Sequence, residues 1–298
     1  MIKVIKMLEQ LGSKTYVINN PNKIGIYLIN ETDVAIIDTG FDDQSGQNIM
    51  DVCKDNNWQI KMILNTHSHI DHIGGNNIIQ KKLNVPIYAS KMEKAIIENP
   101  EITAAISFGG YPHKYLRNEY ILAKESNVLE LTPEILPAGL EIINLAGHNG
   151  DMVGFKTSDD IYFLADAIGG ETALKKYTIQ FKYNIKEYLE TLDYIKTLKA
   201  KIFVPSHGEN FSQTELDKII KLNKDASEDI IRNLKKICGE KITFEHILKK
   251  IFEIYKVKMD FIQNAYIGAS IKCYLAYLLD HNELEIIVED NILYWRTL

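Results

Sequence analysis

Short apolar runs, separated by polar and turn-forming residues, recur along the first two thirds of the chain. Runs of this kind that are rich in valine and isoleucine are typical of strands. The predicted strands cover residues 3–8, 15–18, 24–29, 34–37, 61–64, 86–89, 140–145, 152–156, 161–164 and 201–205. Apolar residues at helical spacing predict helices at 44–57, 76–83, 91–98 and 185–198. This alternation favours an α/β (α+β) fold in which two sheets pack together with helices outside, a four-layer αββα sandwich.

The pattern changes after residue 210, where longer stretches with apolar residues at helical spacing replace the short strands. Three helices are predicted at 214–236, 244–255 and 265–279, followed by a hairpin at 284–288 and 292–296. We therefore predict two domains, residues 1–210 and residues 211–298. Three helices and a terminal hairpin resemble a small winged-helix module. Acidic residues match its lysines, so shaping a pocket or forming a homodimer is favoured over nucleic-acid binding.

Two segments between predicted strands lack a regular period. Residues 91–126 begin as a helix and then mix glycine, proline and aromatic residues, while residues 168–182 form a loop. Long irregular segments in compact domains are often binding loops, although a surface excursion explains residues 91–126 equally well. The candidate substrate-binding residues in these segments are Tyr111, His113 and Tyr177; an ordinary loop position is the more common role for a histidine such as His113.

Five of the eight histidines lie where a predicted strand ends, and side chains from neighbouring strand ends meet at one rim of a sheet. Seven residues at these ends carry imidazole or carboxylate groups: His67, His69, Asp71, His72, His148, Asp166 and His207. In the first loop, His67 and His69 can face one metal while Asp71 and His72 face a second. Imidazole and carboxylate are the ligands of zinc, iron and manganese sites. The alternatives are a solvated polar loop or a loop that N-caps a helix through Asp71, but the concentration of histidines favours metal binding.

These motifs resemble those of the metallo-β-lactamase superfamily of hydrolases. Its H-x-H-x-D-H motif, later His, bridging Asp and last His correspond to the seven residues above, and its Asp-Thr-Gly corresponds to Asp38-Thr39-Gly40. The resemblance covers residues 1–210 and extends to the glyoxalase II and lactonase-like branches. It implies the αββα fold for a catalytic domain, with Asp38 fixing the ligand loop through a hydrogen bond. It also implies the ligand sets: His67, His69 and His148 for one metal, Asp71, His72 and His207 for the other, and Asp166 as the bridge.

A site with two divalent ions implies a hydrolytic mechanism. Ions about 3.5–4 Å apart hold a water and lower its pKa, and the resulting hydroxide attacks an electrophilic carbon or phosphorus. Asp71 would orient this nucleophile and is the candidate catalytic residue. Zinc is favoured, with iron or manganese as alternatives.

The resemblance favours a small-molecule ester, thioester, lactone or related acyl substrate. One alternative is a phosphodiesterase or nuclease with the same dinuclear site. Another is a winged-helix ligand-sensing or nucleic-acid-binding protein in which the sandwich has become a sensor.

Composition limits the class of protein further. A hydrophobic content of 46% and a charged content of 25% are ordinary for a globular chain, and the net charge of −6 argues against general binding to nucleic acid or anionic membranes. Three widely spaced cysteines without a C-x-x-C pattern indicate reduced thiols. The N-terminal run lacks a cleavage site, and no stretch approaches the roughly 20 apolar residues of a membrane span. We therefore expect a cytoplasmic enzyme with a small-molecule substrate and no membrane or nucleic-acid partner.

Overall fold

The first part of the chain forms a seven-stranded sheet in the computed structural model, which describes residues 8–19 and 22–298. The strand predicted at 3–8 lies outside these residues except for Leu8. The strands, in chain order across the sheet, are β1 (Leu8–Gln10), β2 (Thr15–Asn19), β3 (Lys23–Leu28), β4 (Asp33–Ile37), β5 (Gln59–Leu64), β6 (Ile87–Ala89) and β7 (Leu129–Glu130). β1 to β4 are antiparallel neighbours, whereas β4 to β7 run parallel. Ile37 pairs with Leu64, so the segments that follow β4 and β5 leave the sheet at the same edge.

A second sheet of four strands also follows chain order. It consists of β8 (Leu140–Asn144), β9 (Val153–Thr157), β10 (Ile161–Ala165) and β11 (Ile202–Pro205). The pairs β8–β9 and β9–β10 are antiparallel, whereas β10 and β11 are parallel. Ala165 pairs with Pro205, so Asp166 and His207 leave this sheet close together.

Helices accompany the two sheets throughout this part of the described chain. They are α1 (Asp43–Asp55), α2 (Ile70–Ile73), α3 (Asn76–Leu83), α4 (Lys91–Glu98), α5 (Glu101–Phe108), α6 (Glu171–Lys176) and α7 (Ile185–Thr197). Short 3₁₀ turns lie at Lys114–Leu116 and Pro133–Ile135. α1 illustrates how the sequence specifies them: the Asp42 carboxylate accepts a hydrogen bond from the Ser45 N–H at 2.8 Å, and Ile49 and Val52 are buried on one face.

Three apolar cores separate the layers. Between the sheets, Tyr27 of the first packs with Phe155 and Phe163 of the second. On the outer face of the first sheet, α1 and α3 enclose a second core, and on the outer face of the other sheet α7 encloses a third. Helices therefore cover both outer faces, and the predicted αββα fold class is confirmed.

The C-terminal region contains α8 (Leu216–Ile237), α9 (Phe244–Tyr255), α10 (Phe261–Asp280) and the hairpin β12 (Leu284–Glu289) and β13 (Ile292–Thr297). α8 contributes to two cores. Its residue Ile219 packs against the second sheet of the sandwich, and its residue Leu234 packs with α9 and α10 in the C-terminal core. α10 also contacts the segment after α4, through Ala265 beside Ala104 and Leu116. The division at residue 210 and the winged-helix resemblance stay predictions.

Two segments predicted to be irregular contain helices. Residues 101–108 form α5, and residues 171–176 form α6 within the loop after β10. The sequence pattern hides α5 because only Ala104 and Ser107 in it are buried, so its apolar residues do not follow one face. The other predicted elements in the described chain are present, with ends displaced by a few residues. Within residues 8–19 and 22–298, no helix combines the length and the apolar character needed to cross a bilayer.

Candidate metal centre

His67 and His69, in the loop after β5, meet His148 from the loop after β8. His69 Nδ1 lies 3.1 Å from His67 Nε2 and 3.0 Å from His148 Nε2. A ring nitrogen donates or accepts one hydrogen bond, so these three nitrogens cannot all satisfy one another. Together with an Asp166 oxygen, they lie within 4.8 Å of each other. A cation would satisfy all four atoms, so this group fits a metal ion.

Asp71, His72 and His207 form a second group, whose donor atoms also lie within 4.8 Å of one another. His207 Nε2 is 3.3 Å from Asp71 Oδ2. His72 Nε2 and Asp166 Oδ1 are 3.5 Å apart and buried, and neither finds a hydrogen-bond partner among the described residues. Buried polar atoms are rarely left unsatisfied, so these two fit a second cation.

Asp166 stands between the two groups. Its Oδ2 lies 3.5 Å from His148 Nε2 and 3.5 Å from His207 Nε2, while its Oδ1 faces His72. The preceding residue, Ala165, has a φ of 48°, in the left-handed region that side chains rarely adopt. Such backbone strain persists only where the surroundings hold it, and here it turns the Asp166 side chain towards the side chains of both groups.

Gly147 allows His148 to approach the site. Its φ is 120°, and a Cβ at this position would lie 2.2 Å from the main-chain nitrogen of Tyr188 in α7. Only glycine fits here without displacing α7. The loop after β8 therefore packs directly against α7.

Asp38 fixes the ligand loop from the end of β4. Its carboxylate accepts hydrogen bonds from the Thr66 N–H, the Thr66 hydroxyl and His72 Nδ1, each at 2.8 Å. Because Nδ1 donates to a carboxylate, His72 presents Nε2 to the cation group. Asp38 has a φ of 61°, which aspartate tolerates better than most residues.

Burial determines the ionisation of the first group. It holds the pKa of His67 and His148 well below the usual value, and that of His69 below it, so these rings are neutral. Neutral imidazole is the form that binds a metal.

Opposite charges determine the ionisation of the second group. Burial opposes charge at His72, but the neighbouring carboxylates, Asp38 first among them, raise its pKa well above the usual value. Burial likewise opposes charge at Asp71 and Asp166, yet the adjacent histidines hold the pKa of both carboxyls below the usual range. Asp166 also raises the pKa of His207 to about 10. In this state both carboxylates are therefore ionised and both histidines protonated at neutral pH. A cation bound here would displace the protons from His72 and His207.

Glu93, in the first turn of α4, supports two of these loops and was not identified from the sequence. Its Oε2 accepts hydrogen bonds from the Ser68 N–H at 2.8 Å and from Asn149 Nδ2 at 3.1 Å. Burial raises the pKa of Glu93 to about 7. It is one glutamate among many in an ordinary helical pattern, so only its tertiary contacts distinguish it.

The two groups form the floor of a cavity of about 730 Å³. Its walls are largely apolar and come from the loop before α1, from α2, from the segment after β10 and from α10. The large apolar and aromatic residues lining it are Phe41, Ile70, Ile168, Tyr177, Ile179, Phe181, Ile262 and Tyr266. Tyr177 therefore lies where the sequence suggested, whereas Tyr111 and His113 do not line the cavity. The contributions of Phe181 and α10 could not be predicted from the sequence, because nothing in their local pattern differs from ordinary core packing.

An αββα sandwich with two groups of side chains that fit metal ions at one edge of its sheets is the architecture of a metallo-hydrolase. The sequence profile of the metallo-β-lactamase superfamily matches residues 22–207, which include all seven grouped residues. The chain belongs to the metallo-β-lactamase superfamily.

Two relatives illustrate the range of this similarity. A Bacillus subtilis protein named "Probable metallo-hydrolase" is 28% identical over 186 residues, which cover 61% of this chain and 79% of the relative. A "Hydroxyacylglutathione hydrolase" of Prochlorococcus marinus is 25% identical over 178 residues, which cover 58% of this chain and 61% of that protein. The predicted enzyme class, a hydrolase of the metallo-β-lactamase fold, is thereby confirmed.

Two solved structures resemble nearly the whole chain. A β-lactamase domain protein of Burkholderia ambifaria matches with a TM-score of 0.74 and 13% identity, covering 98% of this chain and 93% of that one. A metallo-β-lactamase family protein of Thermus thermophilus matches with a TM-score of 0.72 and 14% identity, covering 98% of this chain and 99% of that one. At such low identity the likeness shows the fold alone, and it includes the C-terminal helices.

Proposed function

We propose that this protein hydrolyses a small-molecule ester, thioester, lactone or related acyl compound with the help of two divalent metal ions, preferably zinc. The observation that carries the proposal is the convergence of two cation-binding groups on the floor of one largely apolar cavity. In this assignment His67, His69 and His148 hold one ion. Asp71, His72 and His207 hold the other, and Asp166 contacts both.

When bound, the two ions would lower the pKa of a water between them and polarise the acyl oxygen. The residues of the chain orient the reactants around them. Asp71 is ionised and lines the cavity, so its free lone pairs can accept a hydrogen bond from the attacking water. Apolar walls exclude other water from the reacting atoms.

Tyr266 lines the same cavity. Burial and, to a lesser degree, Asp71 raise its pKa to about 12, so the hydroxyl keeps its proton at neutral pH. It can therefore donate a hydrogen bond to an acyl or leaving-group oxygen, but it cannot serve as a base.

Metal analysis combined with a substrate panel tests the proposal. The purified chain is expected to contain about two metal ions, and to hydrolyse members of a panel of thioesters, lactones and aryl esters. Bis-aryl phosphodiesters are the comparison substrates. Turnover confined to the phosphodiesters would replace the acyl proposal with the phosphodiesterase alternative. If neither metal nor turnover appeared after reconstitution with zinc, the ligand-sensing alternative would lead.

A further inference from the structure

We infer that the substrate is a neutral acyl compound with an extended apolar acyl chain, and that α10 forms the wall that holds this chain. The inference rests on the proposed function for the reaction itself. The class of substrate is inferred from the charge and packing of the cavity walls, and not from the two groups on the cavity floor.

The cavity walls carry no lysine or arginine among the described residues. The charged side chains that line it, apart from the histidines, are the carboxylates of Asp42, Asp71 and Asp166. An anionic group on the substrate, remote from the reacting atoms, would therefore lose its hydration without gaining a counter-charge. Carboxylates on an acyl chain or on a thiol carrier such as glutathione are disfavoured for this reason.

A buried lysine lies close by but does not line the cavity, and burial lowers its pKa to about 7. Lys182 directly follows Phe181, yet its Nζ donates a hydrogen bond to Gln180 at 3.1 Å and lies 3.9 Å from the centre of the Tyr188 ring. Lys182 is not among the residues that line the cavity. The substrate consequently meets the apolar ring of Phe181 and not the amine of Lys182.

Phe181 links the floor of the cavity to α10. Its ring centre lies 5.3 Å from that of His69, 6.0 Å from that of His148 and 6.0 Å from that of Tyr266. Ile262 lies one turn before Tyr266 in α10. It extends this apolar wall and is 40% exposed. An acyl group held above the metal ligands can therefore run over Phe181 along the first turns of α10.

A series of 4-nitrophenyl esters of increasing chain length measures this preference. From acetate to octanoate, kcat/KM is expected to rise about threefold for each added methylene group, the order of magnitude for burial of apolar surface. The mono-4-nitrophenyl ester of suberic acid has the same length as the octanoate but ends in a carboxylate. We expect it to react at least about thirtyfold more slowly, because its charge would be buried without a partner. Rates that are independent of chain length, or equal for octanoate and suberate, would overturn the inference.

A matched pair of lysine substitutions tests the wall directly. Ile262→Lys places a cation in the cavity, whereas Ile254→Lys makes the same change at a surface position in α9 that is 46% exposed. We expect Ile262→Lys to lower kcat/KM for the octanoate about tenfold and to raise it several-fold for the suberate monoester. Ile254→Lys should change neither by more than about twofold. Equal behaviour of the two variants would contradict a chain-binding role for α10.

Binding of 2-octanone, a neutral ketone that cannot be hydrolysed, separates failure of this inference from failure of the proposed reaction. Calorimetric titration of the zinc-loaded and metal-free protein should give a dissociation constant below about 1 mM, weakened about tenfold by Ile262→Lys and unchanged by Ile254→Lys. Absence of turnover on the whole acyl panel would refute the proposed reaction, while binding of the ketone would still support the ligand class. Absence of ketone binding would overturn the inference whatever the activity.

Discussion

The floor and the wall of the cavity are built in different ways. The floor consists of ionisable side chains that leave the ends of paired strands. A hydrogen bond to Asp38 holds His72, and constrained backbone at Gly147 and Ala165 holds His148 and Asp166. The wall consists of apolar side chains from separate segments, of which α10 lies beyond the residues matched by the superfamily profile. The floor thus lies wholly within the residues matched by the superfamily profile, whereas the part of the wall formed by α10 lies outside them.

This difference separates chemistry from specificity. Side chains that bind metal must meet within tight distance limits, so their positions leave little room for variation. Apolar contacts with a substrate depend mainly on shape and charge, so many sequences can provide them. Substitutions in the floor should therefore alter the reaction, and substitutions in the wall should alter the choice of substrate.

The largest effect is expected from Asp71→Ala. This change removes a carboxylate of the second group and the candidate partner of the attacking water, so kcat should fall by about a thousandfold or more. Thermal unfolding should change little, because the Asp71 side chain is 28% exposed at the cavity surface. Asp51→Ala, on the exposed face of α1, is the control and should retain full activity. Normal turnover by an Asp71→Ala protein that still holds two metal ions would disprove the assigned role.

A smaller effect is expected from Asp38→Asn, which alters a residue that supports the cavity floor and leaves the seven grouped residues unchanged. Asp38→Asn keeps the side-chain shape and the left-handed backbone, but an amide nitrogen cannot accept the hydrogen bonds from Thr66 and His72. Zinc affinity, measured by competition with a chelator, should fall about ten- to a hundredfold.

Asp159→Asn is a matched control for that change. The Asp159 carboxylate also accepts hydrogen bonds from a main-chain N–H, that of Lys14, and from two hydroxyls, those of Ser13 and Thr15. It joins β2 to the turn before β10, away from the cation-binding groups. If Asp159→Asn weakened zinc binding as much as Asp38→Asn, the effect would reflect general destabilisation.

Glu93→Gln should reveal a dependence of stability on pH. Burial raises the folded-state pKa of Glu93 from 4.5 to about 7, so its contribution to the free energy of unfolding is complete below pH 4.5 and is lost as the pH rises through 7. Glutamine does not ionise. The stability of the variant relative to the parent should therefore increase by roughly 1 kcal/mol between pH 6 and pH 8 in the metal-free protein.

Urea unfolding at the two pH values measures this difference. Glu240→Gln, at an exposed position after α8, is the control and should show the same relative stability at both. A relative stability of Glu93→Gln that did not change with pH would mean that this carboxyl is already ionised at pH 6.

The contrast between floor and wall also decides what the sequence alone can predict. His67, His69 and Asp71 could be identified because these residue types are uncommon at such spacing and follow a recognisable strand. The alternating pattern likewise predicted the two sheets and their outer helices. Phe181, Ile262 and Tyr266 could not be assigned to the cavity, because an apolar residue in a helix or loop looks the same whether it lines a cavity or fills a core. Their role depends on how α10 packs against the sandwich, which is a property of the tertiary structure.

The smallest effect distinguishes two tyrosines that the sequence presented as equivalent. Tyr177 lines the cavity, with its ring centre 6.1 Å from that of His207, whereas Tyr111 is 68% exposed and accepts a hydrogen bond from Arg117 at 2.7 Å. Tyr177→Ala should raise KM for the preferred acyl ester about three- to tenfold with a smaller change in kcat, because it removes contact area and leaves the reacting groups in place. Tyr111→Ala should leave both constants within about twofold. Steady-state kinetics with one ester measures both variants.

An equal rise in KM for Tyr111→Ala would mean that residues 99–126 close over the bound substrate. The wall would then include residues that do not line the cavity.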